Sequence, residues 1–345
     1  MRVVVEMQKK VFCICFILFC IVVTYCGYSL DIENEKEYIN EDEQLDYKKL
    51  AAQENAQMEN LLRENYEAVK PPENTKEQEE PKEEQAKASD VKAVEIDIEK
   101  LKDFECLKKT FYQVDATTSI SEKRLDVKKL LGKDMSIDEN VDGPQILIYH
   151  THSQEGYSDS KAGDESTSVV GVGDYLADIL EKQYGFKVLH HKGKYDVNDR
   201  DHAYSNAEAN IQKIINEHPS IQLVIDLHRD GVLEGTHLVT EIDGRKTAQI
   251  MFFNGLSYTN SVGNIKYLKN PYIDSELALS FQMQFKSAEY YPGFTRRIYL
   301  KGYRYNMHMC EKSMLVEVGA QTNTLKEAKN AMIPLADVIN KVIRK

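Results

Sequence analysis

Short apolar runs of strand length alternate with helical repeats in the C-terminal two thirds of the chain, and this alternation limits the possible folds most. The strand-like runs are ILIYH (146–150), KVLHH (187–191), LVIDLH (223–228), QIMFF (249–253) and SMLVEVG (313–319). Between the first two runs, Val172, Leu176 and Ile179 recur at helical spacing. Such alternation indicates an α/β domain with a largely parallel sheet flanked by helices. Ligands of these sheets bind beyond the carboxyl ends of the strands.

Further helices are predicted over 206–216 and 274–290, and a last helix follows Thr324. Thr324-Leu-Lys-Glu327 has the spacing of a capping box, and Pro334 should kink or split the helix that it opens. Residues 96–131 mix strand-like and helix-like pieces, which we interpret as a lead-in packed on the main domain. The folded domain is therefore predicted to cover 96–345.

Residues 11–28, VFCICFILFCIVVTYCGY, contain no charged side chain. A run of this length is at the lower end of what spans a bilayer as a helix. Arg2, Lys9 and Lys10 precede it, so we expect residues 1–10 in the cytoplasm, a single-pass anchor, and an exported remainder. A cleaved signal peptide is the alternative. The run is longer than a usual signal-peptide core and lacks a clear small-x-small cleavage pattern, which favours a retained anchor.

The segment 29–95 is strongly acidic and poor in apolar residues. Residues 31–90 hold 19 acidic and 8 basic side chains, which accounts for nearly all of the net charge of −12 on the chain. Too little apolar surface is available there to offset the entropy of ordering, so we expect a disordered tether. The negative balance also argues against a nucleic-acid partner, which needs a surplus of Lys and Arg.

Three strands of the predicted sheet carry side chains that can bind a metal ion or a proton. The first is followed by His152 and Glu155, the third ends at His228, and Glu317 lies within SMLVEVG. His152 and Glu155 can converge on one ion from a turn. With His228 they make a set of two histidines and one glutamate, which suits catalytic zinc with a fourth position for water. His190 or His191 also ends a strand and could donate a ligand instead of His150 or His152.

Glu317 is the free carboxylate best placed to act as a base. An ionised glutamate among Leu and Val is costly without a partner, so its position calls for a functional explanation. Zinc acidifies a bound water and polarises a carbonyl oxygen. Hydrolysis then needs a group that takes the water's proton and returns it to the leaving amine, and we assign that work to Glu317.

Several blocks of the sequence resemble the stage II sporulation protein P family. They are ILIYHTHSQEGY, VGDYLADILEKQYG, VIDLHRDG, YYPGFTRRIYL with RYNMH, and LVEVGAQTNTLKEA, in order over about 96–345. The family is similar in fold and zinc chemistry to the N-acetylmuramoyl-L-alanine amidases. The resemblance implies a peptidoglycan hydrolase of forespore engulfment that cuts the amide between N-acetylmuramic acid and the stem peptide, and also stem cross-links. It further implies action at the septal membrane beside the stage II sporulation proteins D and M.

The resemblance also implies roles for individual residues. His152 and His228 match the histidine ligands and Glu317 matches the catalytic glutamate. The third ligand is Glu155 by its spacing from His152, while the broader amidases place this carboxylate nearer Asp164 and Glu165. The remaining residues in matching blocks are assigned to the surroundings of the ligands or to contacts with substrate carboxylates and carbonyls. Ion pairs inside the fold are an equal alternative for them. These residues are His150, Arg229, Arg297, Arg304 and Asn306.

Two other functions fit the same residues. One is an inactive domain that binds peptidoglycan or scaffolds the engulfment complex, which the loss of Glu317 would have favoured. The other is a zinc carboxypeptidase-like enzyme that trims stem peptides, because H-x-x-E followed by a later histidine is also its ligand pattern.

Overall fold

A mixed sheet of seven strands is the centre of the computed structural model, which describes residues 93–344. Its strands are β1 (Tyr112–Val114), β2 (Ile146–Tyr149), β3 (Val188–His190), β4 (Leu223–Asp230), β7 (Ile250–Gly255), β10 (Ile298–Lys301) and β11 (Ser313–Ala320). Two hairpins stand apart from it and pair β5 (Val239–Ile242) with β6 (Arg245–Ala248), and β8 (Tyr258–Thr259) with β9 (Gly263–Asn264). The order across the large sheet is β1-β10-β7-β11-β4-β2-β3.

The strands of this sheet run in two directions. β11, β4, β2 and β3 are parallel to one another, and β1, β10 and β7 form a second parallel group. The two groups meet where β7 pairs antiparallel with β11. The predicted, largely parallel sheet is therefore confirmed, with one antiparallel junction. As a result, the carboxyl ends of β2, β4 and β11 lie at the same edge.

Among residues 93–344, six α-helices accompany the strands. They are α1 (Phe104–Phe111), α2 (Val127–Gly132), α3 (Val169–Tyr184), α4 (Ala203–Glu217), α5 (Ile273–Tyr290) and α6 (Leu325–Ile343). The capping box before α6 is confirmed, since Thr324 accepts from the Glu327 N–H and Glu327 accepts from the Thr324 N–H. Pro334 does not split α6, which continues through it with Pro334 buried. The predicted helices over 206–216 and 274–290 correspond to α4 and α5.

Helices cover both faces of the sheet, which is why the inner strand β2 is apolar throughout. In β2, Ile146 and Ile148 join the larger core with residues of α3, α5 and α6, whereas Leu147 and Tyr149 pack with residues of α4. All four side chains are buried. Alternate residues of a strand point to opposite faces, so a strand covered on both sides has no position left for solvent.

The lead-in contributes an edge to the main sheet. α1 buries Leu107 in the larger core, and α2 does the same with Leu130. Between them, β1 pairs with β10. The predicted packing of this region on the main domain is confirmed, while β1, β10 and the two hairpins are strands that the apolar pattern did not reveal.

The predicted anchor (11–28) and acidic tether (29–95, apart from its last three residues) lie outside the described residues. Among residues 93–344, none of the helices has both the length and the apolar character needed to cross a bilayer.

Candidate metal centre

Three parallel strands bring the predicted ligands to one edge of the sheet. The chain leaves β2 at Tyr149 and turns through 150–156, His228 lies in the last part of β4, and Glu317 lies in β11 directly opposite His228. Because β2, β4 and β11 are neighbours with the same direction, their carboxyl ends deliver these side chains to one place. The structure thus brings together side chains that are far apart in sequence.

His152, Glu155 and His228 form a compact cluster whose potential ligand atoms all lie within 4.8 Å of one another. Glu155 lies between the two imidazoles. Its Oε1 is 3.4 Å from His152 Nδ1 and its Oε2 is 3.5 Å from His228 Nδ1. Bond lengths of 2.0–2.1 Å in tetrahedral zinc sites place ligand atoms about 3.3 Å apart. Two imidazoles and a carboxylate at these separations fit a zinc ion.

The turn that carries His152 and Glu155 is held by a buried aspartate from another part of the chain. Asp196 accepts hydrogen bonds from the backbone N–H and the hydroxyl of Ser153, at 3.1 and 2.8 Å, and from the backbone N–H of Gln154 at 3.0 Å. No local pattern in the sequence indicates this contact, because Asp196 lies in the loop after β3. The turn therefore depends on a tertiary anchor.

Asp226 contacts both the start of the turn and the His228 ring. It accepts from the Thr151 N–H at 2.9 Å and from the Thr151 hydroxyl at 2.6 Å, so it ties β4 to the start of the turn. Its Oδ1 also lies 2.8 Å from His228 Nε2, although this contact lacks the geometry of a hydrogen bond. A carboxylate beside a ligand histidine typically fixes the orientation of the ring. An aspartate inside the apolar run LVIDLH was the available signal for this role.

Glu155 is almost fully buried, and each of its oxygens has a further partner. Arg200 donates to Oε1 at 2.9 Å, and the backbone N–H of Arg229 donates to Oε2 at 3.0 Å. Burial favours the neutral acid, but His152 and His228 outweigh it and hold the pKa of Glu155 well below its usual range. Burial also opposes a charge on His228, yet Asp226 and Glu155 raise its pKa well above the ordinary value. The carboxylate is thus held in the ionised form that a metal requires.

Glu317 lies beside the cluster of His152, Glu155 and His228. Its Oε2 is buried and has no hydrogen-bond partner among the described residues. Burial raises the pKa of Glu317 to about 8, and Asp230 adds to this effect while His228 opposes it. An unpartnered carboxylate whose pKa lies near neutrality has the properties of a proton-transfer group.

Neither His150 nor His190 faces the cluster. His150 is fully buried, with Nδ1 2.7 Å from the carbonyl oxygen of Leu227 and Nε2 2.8 Å from His190 Nε2. The other nitrogen of His190 lies 2.9 Å from Asp174. Burial lowers the pKa of His150 to about 3, so this ring is neutral. His150 therefore contacts the backbone next to His228, which agrees with a place around the ligands and not among them. His191 instead contacts Tyr195.

The alternative carboxylates lie elsewhere. Asp164 caps the turn at Ser166, and Glu165 forms an exposed ion pair with Lys194. Of the acidic residues that the sequence offered as third ligand, Glu155 is the one that the structure brings to His152 and His228.

The predicted substrate contacts are used largely inside the fold. The side chain of Arg229 donates to the backbone oxygens of Gly156 and Asp230. Arg304 donates to Glu208, and Asn306 donates to the backbone oxygen of Tyr204.

Arg297 does not lie at the candidate metal centre. Its exposed side chain donates to the backbone oxygen of Lys109, and its neighbour Arg296 pairs with Asp230 at 2.6 Å. Asp230 in turn raises the pKa of Glu317, so Arg296 is the member of this arginine pair that is linked to the cluster. The segment directly before β10 contains these two adjacent arginines, and the apolar pattern did not define which of them turns toward the site.

A buried cluster of two histidines and one glutamate, with a free carboxylate beside it, is the arrangement typical of zinc-dependent hydrolases. The family model described as Stage II sporulation protein P matches residues 25–340, and the chain belongs to this family.

The stage II sporulation protein P of Bacillus subtilis (strain 168) is 25% identical over 228 residues. The match covers 61% of this chain and 54% of the relative, so the chain spans about half the length of the curated relative that it matches.

Among solved structures, the chain is similar to N-acetylmuramoyl-L-alanine amidases, with low sequence identity and low TM-scores. The catalytic domain of the enzyme from Bacillus (Paenibacillus) polymyxa var. colistinus is 12% identical with a TM-score of 0.34, covering 57% of this chain and 97% of that one. The enzyme from Clostridium difficile 630 is 14% identical with a TM-score of 0.35, and the match covers 58% of this chain and 95% of that one.

The ligand assignment predicts how metal content responds to substitution. Protein comprising the folded domain (96–345) and purified with zinc should hold about one zinc per chain. His152→Ala, Glu155→Ala and His228→Ala should each lose most of it, because a three-ligand site retains little affinity with one ligand gone. Elemental analysis after dialysis against a weak chelator measures this.

Asp164→Ala and Glu165→Ala are the matched controls and should keep the metal. If Glu155→Ala retains full zinc while either control loses it, the third ligand lies at the start of α3 and the present assignment is wrong.

Proposed function

We propose that this chain is a membrane-anchored, zinc-dependent peptidoglycan hydrolase of forespore engulfment. It cleaves the amide between N-acetylmuramic acid and the stem peptide, and also cross-links between stems. The observation that carries the proposal is the convergence of His152, Glu155 and His228 beside the unpartnered carboxylate of Glu317. Membership of the sporulation family supports the biological setting, and the amidase names of the similar solved structures agree with the reaction without carrying it.

Zinc held by His152, Glu155 and His228 would polarise the amide carbonyl and acidify a water molecule. The chain's own part is to keep the ligands ready. Glu155 is held between both imidazoles by Arg200 and by the Arg229 N–H, and its pKa is low enough to keep it ionised. Glu155 and His228 are buried and in contact before a metal binds, and a bound metal would displace the proton that the raised pKa of His228 keeps on its ring.

Glu317 handles the proton in this mechanism. Its free oxygen accepts a proton from the attacking water as the amide carbonyl is attacked, and it then passes that proton to the departing nitrogen. Burial raises the pKa of Glu317 to about 8 in the chain alone, and a bound cation would lower it toward neutrality, where the group can both accept and return a proton. The Asp230–Arg296 pair lies beside it and contributes opposing charges to its surroundings.

Glu317→Gln separates this chemistry from folding and binding. Glutamine keeps the shape of the side chain but cannot accept the proton, and acid–base help of this kind is typically worth ~10²–10⁴-fold in rate. The variant should fold, keep its zinc and bind cell wall, yet release almost no stem peptide. Zinc content, melting temperature and stem release are measured on one preparation, with mass spectrometry of the digested wall.

Glu276→Gln is the matched control. Glu276 is also a buried glutamate with a pKa raised by burial to about 8, but it lies in α5, where Asn270 donates to it. Its replacement should leave hydrolysis unchanged. Cleavage by Glu317→Gln within about threefold of wild type would remove Glu317 from the mechanism.

The wild-type digest also separates the candidate functions. Free stem peptides identify an amidase, shortened stems a carboxypeptidase-like enzyme, and an unchanged wall a scaffold.

The proposed location follows from the N-terminal charge pattern. Residues 11–28 anchor the chain, residues 29–95 act as a tether, and the catalytic domain (96–345) faces the space between the septal membranes, near peptidoglycan and the stage II sporulation proteins D and M. Arg2, Lys9 and Lys10 support this orientation.

Protease added to intact protoplasts tests this orientation. It should remove the catalytic domain while a cytoplasmic marker protein stays intact. A protected domain would reverse the orientation, and a soluble exported form would mean that the anchor is cleaved.

A further inference from the structure

Tyr204 contacts both histidines of the candidate metal centre, and nothing in the proposed mechanism uses it. It is the second residue of α4. Its ring meets that of His152 edge-on, with centroids 5.6 Å apart and an interplanar angle of 78°. It lies nearly parallel to the ring of His228, at 6.4 Å and 11°. The two imidazoles are themselves perpendicular, at 5.2 Å. Both distances to Tyr204 lie in the range in which aromatic rings attract one another.

The position of Tyr204 is fixed by the turn before the short 3₁₀ helix Met307–Met309. The side-chain amide of Asn306 donates to the backbone oxygen of Tyr204 at 2.6 Å, and the ring of Tyr305 meets that of Tyr204 edge-on at 5.4 Å. One turn further along α4, Glu208 accepts from Arg304 at 2.8 Å. Three consecutive residues, 304–306, thus hold the first two turns of α4 against the centre.

Two of these residues have a backbone conformation that residues other than glycine rarely adopt. Tyr305 has φ 52° and Asn306 has φ 55°. The left-handed region is disfavoured for residues with a Cβ, and such strain persists where the surrounding structure imposes it. Consecutive residues in this conformation aim the Tyr305 ring and the Asn306 amide at the same target, Tyr204.

We propose that Tyr204 is a positioning residue of the zinc centre: its ring holds the imidazoles of His152 and His228 at the mutual angle that metal binding requires. The inference rests on the proposed zinc site. His152 is the least buried of the three ligands. The turn that carries it is restrained at Ser153 and Gln154, and its own ring contacts Tyr204 in addition to the other two ligands. Removing the Tyr204 ring would free the His152 ring to rotate, and groups that orient a ligand histidine typically contribute 10- to 100-fold to metal affinity.

The prediction is tested by zinc affinity, measured by competition with a chromophoric chelator on metal-depleted protein. Tyr204→Leu should bind zinc 10- to 100-fold more weakly than wild type. Tyr204→Phe should stay within about threefold, because the ring, and not the hydroxyl, makes the contacts. Tyr184→Leu is the matched control, since Tyr184 is also half-buried and lies at the end of α3, where it contacts Asp337. It should leave zinc affinity unchanged.

A second pair of measurements guards against simple loss of folding. Asn306→Gly keeps the left-handed turn, which glycine adopts readily, but removes the bond to Tyr204; it should weaken zinc binding in the same direction as Tyr204→Leu, by less. The visible spectrum of the cobalt-substituted protein should change in Tyr204→Leu and match wild type in Tyr204→Phe, because it reports the arrangement of the ligands.

Each other outcome overturns the inference. Wild-type zinc affinity in both Tyr204→Leu and Asn306→Gly would remove Tyr204 from the centre. Equal loss in Tyr204→Phe and Tyr204→Leu would assign the effect to the hydroxyl. A loss in Tyr184→Leu of the same size would mean general destabilisation. Absence of zinc binding by the wild-type chain itself is a different result, because it refutes the proposed metal centre and not only the role of Tyr204.

Discussion

A carboxylate that is 3% exposed needs compensation for the water that it has lost, and the compensation of Glu155 organises the whole candidate site. Two imidazoles, one guanidinium and one backbone N–H surround it, and they come from three separate parts of the chain: His152 from the turn after β2, Arg200 from the segment before α4, and His228 and Arg229 from β4. The direction of the sheet strands makes this meeting possible, because β2 and β4 end at the same edge. A divalent cation would add a further positive charge at the same point.

The residues around Glu155 are held by contacts between parts of the chain that are distant in sequence. Asp196 holds the turn at Ser153, Asp226 joins that turn to β4, and Tyr204 covers both imidazoles. Residues 304–306 then hold Tyr204 in place. This arrangement also explains why Arg304 and Asn306 belong to a family-like block although they form bonds inside the fold. Their partners Glu208 and Tyr204 lie in the first two turns of α4, the helix that closes the site.

Physical reasons separate what the sequence predicted from what it did not. Buried strands and amphipathic helices leave a periodic apolar pattern, so β2, β4 and β11 and the helices after them were predictable, as was the capping box at Thr324. The rule that ligands bind at strand ends then selected His152, Glu155 and His228. β1 (Tyr112–Val114) and β10 (Ile298–Lys301) are short and each includes a polar or charged residue, so neither forms an apolar run.

Asp196, Arg200 and Tyr204 were not predicted because they lie in a loop and at a helix start, where no period exists and the contact is purely tertiary. Arg296 and Arg297 show the limit within one dipeptide, since they lie outside any strand and no period in the sequence indicates which of them points toward the site. Asp226 is different: an acid within an apolar strand needs a buried partner, and that signal was available.

Anomalous diffraction from crystals of the folded domain (96–345) grown with zinc is the most direct test of the central claim. Data on both sides of the zinc absorption edge locate the ion without reference to activity. The account predicts one peak about 2.0–2.2 Å from a ring nitrogen of His152, a ring nitrogen of His228 and a carboxylate oxygen of Glu155, with Glu317 beside it and not bonded to it. A peak at the His150–His190 pair, a peak ligated by Asp164 or Glu165, or no peak within the cluster at saturating zinc would contradict it.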